Sequence, residues 1–417
     1  MDQEKESRKN GKKSMDRRDF LKTAGLVGVS AMAIGSIGKE ILLPKTVYSQ
    51  VKGPIKIGVV LPLSGGLESF GQQGIQGVKL AVKEINESGG VLGRKMELVI
   101  EDNKSDPKTS VEKAAKLIKR DKVIAIAGPI TSASRDAMTP TMIKLKTPLL
   151  YATDYEGGVC NRYLFMYSPL PEQTIYPFIP WLAENYGKTF YLFGADYVFP
   201  HKVNIAVKKA IAQVGGTVLA EEYTPFGVKE FSGVIRKMAN KNPKVLIYIL
   251  PGADAMTFIK QFHEFGMKKK TKLVFVGFNE NYLPGFTTEQ AEGIVACPHF
   301  IQTLDFPVAR EFVEKQKKMF GDKATVSFYA ESHYGSIYFL KNGIEKADSL
   351  DTEKVIDTMG GQGITAPSGN VILRASDHHV IFNMMIAEVE NRKLILRKYL
   401  GPTVPPNQCA GKKMVGV

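Results

Sequence analysis

The chain has 417 residues, a formal net charge of +14, 44% hydrophobic and 24% charged residues, and three cysteines. That length exceeds a single hydrophobic core and calls for two lobes or domains, while the ordinary composition excludes disordered, collagenous and multi-span membrane classes. Three cysteines argue against a disulfide scaffold, a zinc ribbon or an iron–sulfur protein, and the basic excess lacks the aromatic interleaving of a nucleic-acid surface. Residues 1–49 carry ten Lys/Arg against six Asp/Glu, which leaves +10 on the rest, densest at Lys268–Lys270 and read there as a solvated helix end.

The first element is an address. Met15-Asp16-Arg17-Arg18-Asp19-Phe20-Leu21-Lys22 precedes sixteen uncharged residues, Thr23 to Gly38, four of them glycine. A basic stretch, a short apolar run and a small residue before the cut form the layout of a cleaved export signal. The run is shorter than the roughly 20 residues that span a bilayer. The segment resembles a twin-arginine signal, with cleavage expected near Ser49 and the mature protein expected in the periplasm.

From Pro54 onward, short β-branched runs alternate with helical patterns. Ile55–Leu61, Met96–Ile100, Val123–Ala127 and Pro148–Tyr151 read as strands; Ile75, Val78, Val82 and Ile85 fall at helix spacing between the first two. The rhythm restarts after Pro177, with strands at Phe190–Gly194, Thr217–Tyr223, Val245–Leu250, Leu273–Val276 and Ile294–Ala296. A helical stretch from Val308 to Asp357 and further strands at Val371–Leu373, Val380–Val389 and Leu394–Leu396 complete the chain. Two such series predict an α/β protein with two doubly wound, Rossmann-like lobes.

Ligands of open parallel sheets bind beyond the carboxyl ends of the strands. The loop after the first strand, Pro62–Gly71, holds neither G-x-G-x-x-G nor a P-loop, and the chain has no G-x-S-x-G or H-E-x-x-H. His378-His379 points to opposite faces of an extended segment and makes a poor metal pair. No catalytic residue, metal or cofactor is expected. Gly128-Pro129-Ile130-Thr131-Ser132 offers hydroxyls and helix-start amides to an anionic or carbonyl oxygen, or merely a cap at Ser132. Tyr151, Tyr197 and Asp254 stand at successive strand ends, and Asp254 suits an ammonium or a helix dipole.

Ile55–Gly65 (IKIGVVLPLSG), Val82–Pro107, Val123–Ala137 (VIAIAGPITSASRDA) and these strand-end loops resemble the leucine/isoleucine/valine-binding family of periplasmic solute-binding proteins over essentially the whole mature chain. Tyr151–Cys160 (YATDYEGGVC), Phe193–His201 and Ala366–Val371 are most similar to the amide- and urea-binding branch, although Ile130 stands where that branch places Trp or Tyr, and Phe199 lacks a hydroxyl that some members carry. The resemblance implies the type I periplasmic binding protein fold: lobes of residues 50–168 plus 300–370 and 169–299 plus 371–417, joined by a three-stranded hinge near Phe165–Pro169, Pro298–Phe300 and Gly369–Leu373. It implies a monomer that binds a small amide, urea or amino acid between its lobes and delivers it to an inner-membrane ABC permease. Ser132, Tyr151 and Thr153 would come from one lobe, Tyr197 and Asp254 from the other, with Phe70 and Glu331 as further carry-overs. A periplasmic sensor for a signalling receptor would use the same fold, and an α/β enzyme would need a nucleophile–base pair that the sequence does not show. Cys160 and Cys297 are the pair weighed for a disulfide, and they are expected not to pair, because Cys297 lies in an apolar run.

Overall fold

The computed structural model describes residues 53–416, so the export signal expected over residues 1–49 lies outside the described residues. Two sheets, each flanked by helices, organise the chain. The first is wholly parallel, in the order β2-β1-β3-β4-β5, from Ile55–Leu61 (β1), Met96–Asp102 (β2), Ile126–Ala127 (β3), Leu149–Tyr151 (β4) and Leu164–Met166 (β5). The second begins with the parallel strands Thr189–Ala195 (β6), Thr217–Thr224 (β7), Val245–Ile249 (β8), Lys272–Phe275 (β9) and Val295–Ala296 (β10). Antiparallel strands Gln362–Ala366 (β11), Gly369–Leu373 (β12), Val380–Glu390 (β13) and Lys393–Thr403 (β14) extend it beyond β10. In each sheet the order reverses around its first strand: β1 sits between β2 and β3, and β6 between β7 and β8. These are the switch points where loops diverge and leave a crevice.

The alternation of side chains across a strand divides the core. Tyr191, Phe193, Leu246 and Tyr248 join a cluster continuous with the first sheet, while Phe190, Leu192, Val245 and Ile247 face a second cluster with Phe178, Ile179 and Leu182. The helix Pro171–Tyr186 supplies that second face although it contains Pro177 and Pro180. The sequence places a restart at Pro177; the structure shows an unbroken helix there. Burial of Ile175, Phe178, Ile179 and Leu182 offsets the two lost backbone bonds.

The chain leaves the first sheet after β5 and enters the second at β6; after β10 it passes through Pro298–Phe300 to helices Pro307–Phe320 and Phe328–Ala347, the second of which packs on the helix Glu68–Glu87. The last passage runs through the β12–β13 connection: Met166 forms a bridge with His379 and its N–H donates to the His378 carbonyl at 2.8 Å. Gly369–Leu373 itself lies between the edge strand β11 and the start of β13 and pairs with both.

Cys160 and Cys297 do not pair, as expected, and Cys297 is a free thiol. A pairing that the sequence reading did not weigh is present instead: Cys160 is disulfide-bonded to Cys409, with a Cα–Cα distance of 5.0 Å. The partners are 249 residues apart in sequence, and the pairing depends on where the C-terminal tail runs, which no local pattern reveals.

Candidate functional site

The loops after β1, β3 and β4 converge on those after β6, β8 and β9. After β3, Gly128 turns at a φ of +111°, where an added Cβ would lie 2.2 Å from the Val60 carbonyl oxygen. The turn delivers Thr131 to the start of the helix Ser132–Lys144. Thr131, rather than Ser132, is the cap: its Oγ1 accepts from the Ser134 N–H at 3.2 Å. Ser132 is thereby released for the cleft. Its hydroxyl donates to Glu156 Oε2 at 2.8 Å and accepts from Arg135 Nη1 at 3.3 Å. Arg135 is itself buried, with its guanidinium 5.0 Å from the Tyr151 ring centre and 4.7 Å from that of Tyr155, and 3.4 Å from Glu156 Oε1. The first-turn amides of Ser132 and Ala133 point out of the helix with no carbonyl of their own to meet.

The segment after β4 carries the atoms most open to a ligand. Tyr151 is fully buried and donates to the Ile130 carbonyl at 3.0 Å, and burial pushes its hydroxyl up to about 12. Thr153 Oγ1 and Asp154 Oδ1 are buried with no hydrogen-bond partner in the protein. Removal from water pushes the Asp154 carboxyl up to about 6, partly countered by the nearby His299. A cavity of about 20 Å³, room for one water, adjoins Asp154 and is walled by Ile175, Phe178, Phe199, Val276, Phe278 and Phe328.

Aromatic side chains close the cleft from both sides. Phe70, at the start of the helix Glu68–Glu87, lies 5.0 Å from Tyr329 and 6.2 Å from Tyr282 of the segment after β9. Tyr197 lies 5.3 Å from Phe226, and burial together with the neighbouring Tyr282 and Tyr151 hydroxyls raises its own hydroxyl well above the ordinary tyrosine value. Tyr282 accepts from the Gly252 N–H at 3.2 Å.

Five of the residues singled out in sequence (Ser132, Tyr151, Thr153, Tyr197 and Phe70) thus meet in one crevice. The other two have other partners. Asp254 is in the first turn of the helix Gly252–Glu264, where its Oδ2 accepts from the Gly227 N–H at 2.6 Å and pins the loop after β7. Glu331 is fully buried: Tyr167 and Ser368 hydroxyls donate to its Oε1 at 3.2 and 2.7 Å, and His299 Nε2 is 3.3 Å from its Oε2. It ties together the segments that follow β5, β10 and β11, and so clamps the hinge, while its Oε2 is buried without a hydrogen-bond partner. Sequence reading missed Arg135, Tyr282 and Tyr329 as site residues. Asp154 and Glu156 were visible as polar residues directly after a strand, the one signal that could have flagged them.

The chain matches the periplasmic binding protein family over residues 54–393. It is 24% identical over 371 residues to a Leu/Ile/Val-binding protein homolog of Brucella melitensis, covering 87% of this chain and 92% of that protein. Its fold is that of an ABC-transporter solute-binding protein of Rhodopseudomonas palustris in complex with 3,4-dihydroxybenzoic acid (TM-score 0.78, 24% identity, 85% of this chain and 99% of that one). It is equally that of a branched-chain amino acid substrate-binding protein of Streptococcus pneumoniae in complex with isoleucine (TM-score 0.76, 23% identity, 84% and 100%). With two doubly wound sheets, a crevice at their switch points and a family match across most of its length, the chain belongs to the periplasmic binding protein family, with the type I fold.

Proposed function

We propose that the protein is the extracytoplasmic substrate-binding component of an ABC importer and captures a small nitrogenous solute in the cleft, with binding and not turnover as its activity. The observation that carries the ligand class is the pair of buried, unpartnered atoms Thr153 Oγ1 and Asp154 Oδ1. A carboxylate is an acceptor only, so Asp154 calls for a donor on the ligand, and a buried carboxylate is stabilised most by a cationic one, which favours an ammonium. An α-amino acid supplies both ends: its ammonium to Asp154, its carboxylate to the first-turn amides of the helix Ser132–Lys144. A nitrogen-free aromatic acid would bring its own carboxylate against Asp154 and Glu156, with Arg135 already engaged by Glu156 and Asp136.

The second reading, an amide or urea, is supported by walls already in contact across the cleft, which favour a small solute. Isothermal titration with L-leucine, acetamide, urea and benzoate separates the two. Binding of one of the nitrogenous ligands with no response to benzoate is expected; benzoate alone binding would overturn the reading. Uptake of the bound solute, lost in a deletion strain, distinguishes an importer component from a sensor.

Export is proposed to follow the twin-arginine route on the strength of Arg17-Arg18 and Phe20-Leu21-Lys22. Arg17→Lys with Arg18→Lys keeps the charge and should leave the precursor in the cytoplasm; normal periplasmic accumulation would refute the assignment.

A further inference from the structure

β14 ends at Thr403 in the second sheet, yet the tail that follows runs back to the loop after β4. Val415 forms a parallel bridge with Asn161, its N–H donating to the Cys160 carbonyl at 3.2 Å and its carbonyl accepting from the Arg162 N–H at 2.9 Å. Gln408 Oε1 accepts from the Gly158 N–H at 2.6 Å, and the Cys160–Cys409 disulfide closes the attachment covalently. The loop so held, residues 152–160, is the one that presents Thr153, Asp154 and Glu156. It lies outside any helix or strand and includes Gly157 and Gly158 at φ of +87° and +90°. A chain of this composition pays a large entropy of ordering unless something fixes it.

A second line of contacts leads from the same tail to the cleft. The Gln408 N–H donates to Asp377 Oδ2 at 2.8 Å, and Asp377 is also gripped by Arg374. His379 Nδ1 bonds the Asp377 carbonyl at 2.6 Å, while its Nε2 pairs with the Tyr155 hydroxyl. Over the Tyr155 ring sits the Arg135 guanidinium, which reaches Glu156 and Ser132.

We propose that the C-terminal tail, stapled by Cys160–Cys409, is a strap that positions loop 152–160 for ligand capture, so that affinity depends on a disulfide remote from the ligand. The proposal rests on the reading that this loop contacts the solute. It names Cys160, Cys409 and Gln408 as positioning residues, none of which is placed at the ligand.

The test compares oxidised wild type with Cys160→Ser/Cys409→Ser and with Gln408→Ala, which leaves the disulfide intact. Native-state hydrogen exchange and L-leucine titration are the two readouts. Exchange in the peptide covering 152–160 should quicken at least tenfold in the double variant while β4 and β6 remain protected, and L-leucine should bind about tenfold more weakly; Gln408→Ala should move both in the same direction by a smaller factor. A disulfide serving only global stability would lower the melting temperature and leave loop exchange and affinity unchanged, and that result would overturn the strap. Should the double variant fail to fold, Gln408→Ala decides by the same two readouts. Oxidised wild type that ignored L-leucine, acetamide and urea alike would count against the nitrogenous-ligand reading, and loop exchange alone would then judge the strap.

Discussion

Asp154→Asn should make the ligand-free protein more stable and a poorer binder. The Asp154 carboxyl titrates at about 6 against an ordinary value near 3.8, because burial disfavours its charged form. Being raised in the folded state, this group contributes stability that is present below about pH 4 and lost as pH rises through about 6. Two pH units correspond to about 3 kcal/mol at about 1.36 kcal/mol per unit, an upper figure for what a neutral isostere recovers at pH 7.5. For a chain of this length that is roughly 3–6 °C of melting temperature. Calorimetry on both proteins at pH 7.5 and pH 4.5 should show the full gain at the higher pH and about a third of it at the lower. With an amino-acid ligand, loss of the charge should weaken binding by about 2 kcal/mol or more, some thirtyfold in Kd. An Asn variant that is no more stable at pH 7.5, or stabilised equally at both pH values, would refute the buried-carboxylate argument; unchanged L-leucine affinity would remove Asp154 from the site.

Thr153→Val removes a buried hydroxyl that has no partner, so the melting temperature should hold or rise while ligand affinity falls by about 0.5–1.5 kcal/mol; titration and calorimetry on one sample check both. Asp254→Asn keeps an acceptor for the Gly227 N–H and should cost ligand affinity less than about 1 kcal/mol, whereas a loss of about 2–5 kcal/mol would place the ammonium on Asp254. Burial pushes the His333 imidazole down to about 4, so the unfolded chain takes up a proton near pH 6.5 that the folded one refuses until about 4. The stability tied to a neutral His333 is therefore present above pH 6.5 and lost on acidification; His333→Gln should gain on wild type by up to about 3 kcal/mol between pH 6.5 and pH 4, and parallel pH profiles would contradict this.

The parallel strands were legible because buried strands are written as uninterrupted β-branched runs; Ile55–Leu61 and Val245–Ile249 appear almost as read. Where long-range packing overrides local preference, legibility ended. The helix Pro171–Tyr186 keeps two prolines that locally forbid it, and β11 offers only alternate, half-exposed positions along an edge. The strand-end candidates Tyr151, Thr153 and Tyr197 were proposed from sequence because topology alone brings such positions to the crevice. Tyr282 and Tyr329 were not, since each sits on a helical turn whose approach to Phe70 is set by distant elements. The role of Glu331 was not legible for a related reason: an acid near a helix start reads the same whether it faces a ligand or three hinge segments.

The most direct test of the account is to purify the protein from the periplasm without refolding, denature it, and identify by mass spectrometry the small molecule it releases. An amino acid, amide or urea-like compound released in near-stoichiometric amount is the predicted result. Release of a nitrogen-free carboxylic acid in that amount would contradict it.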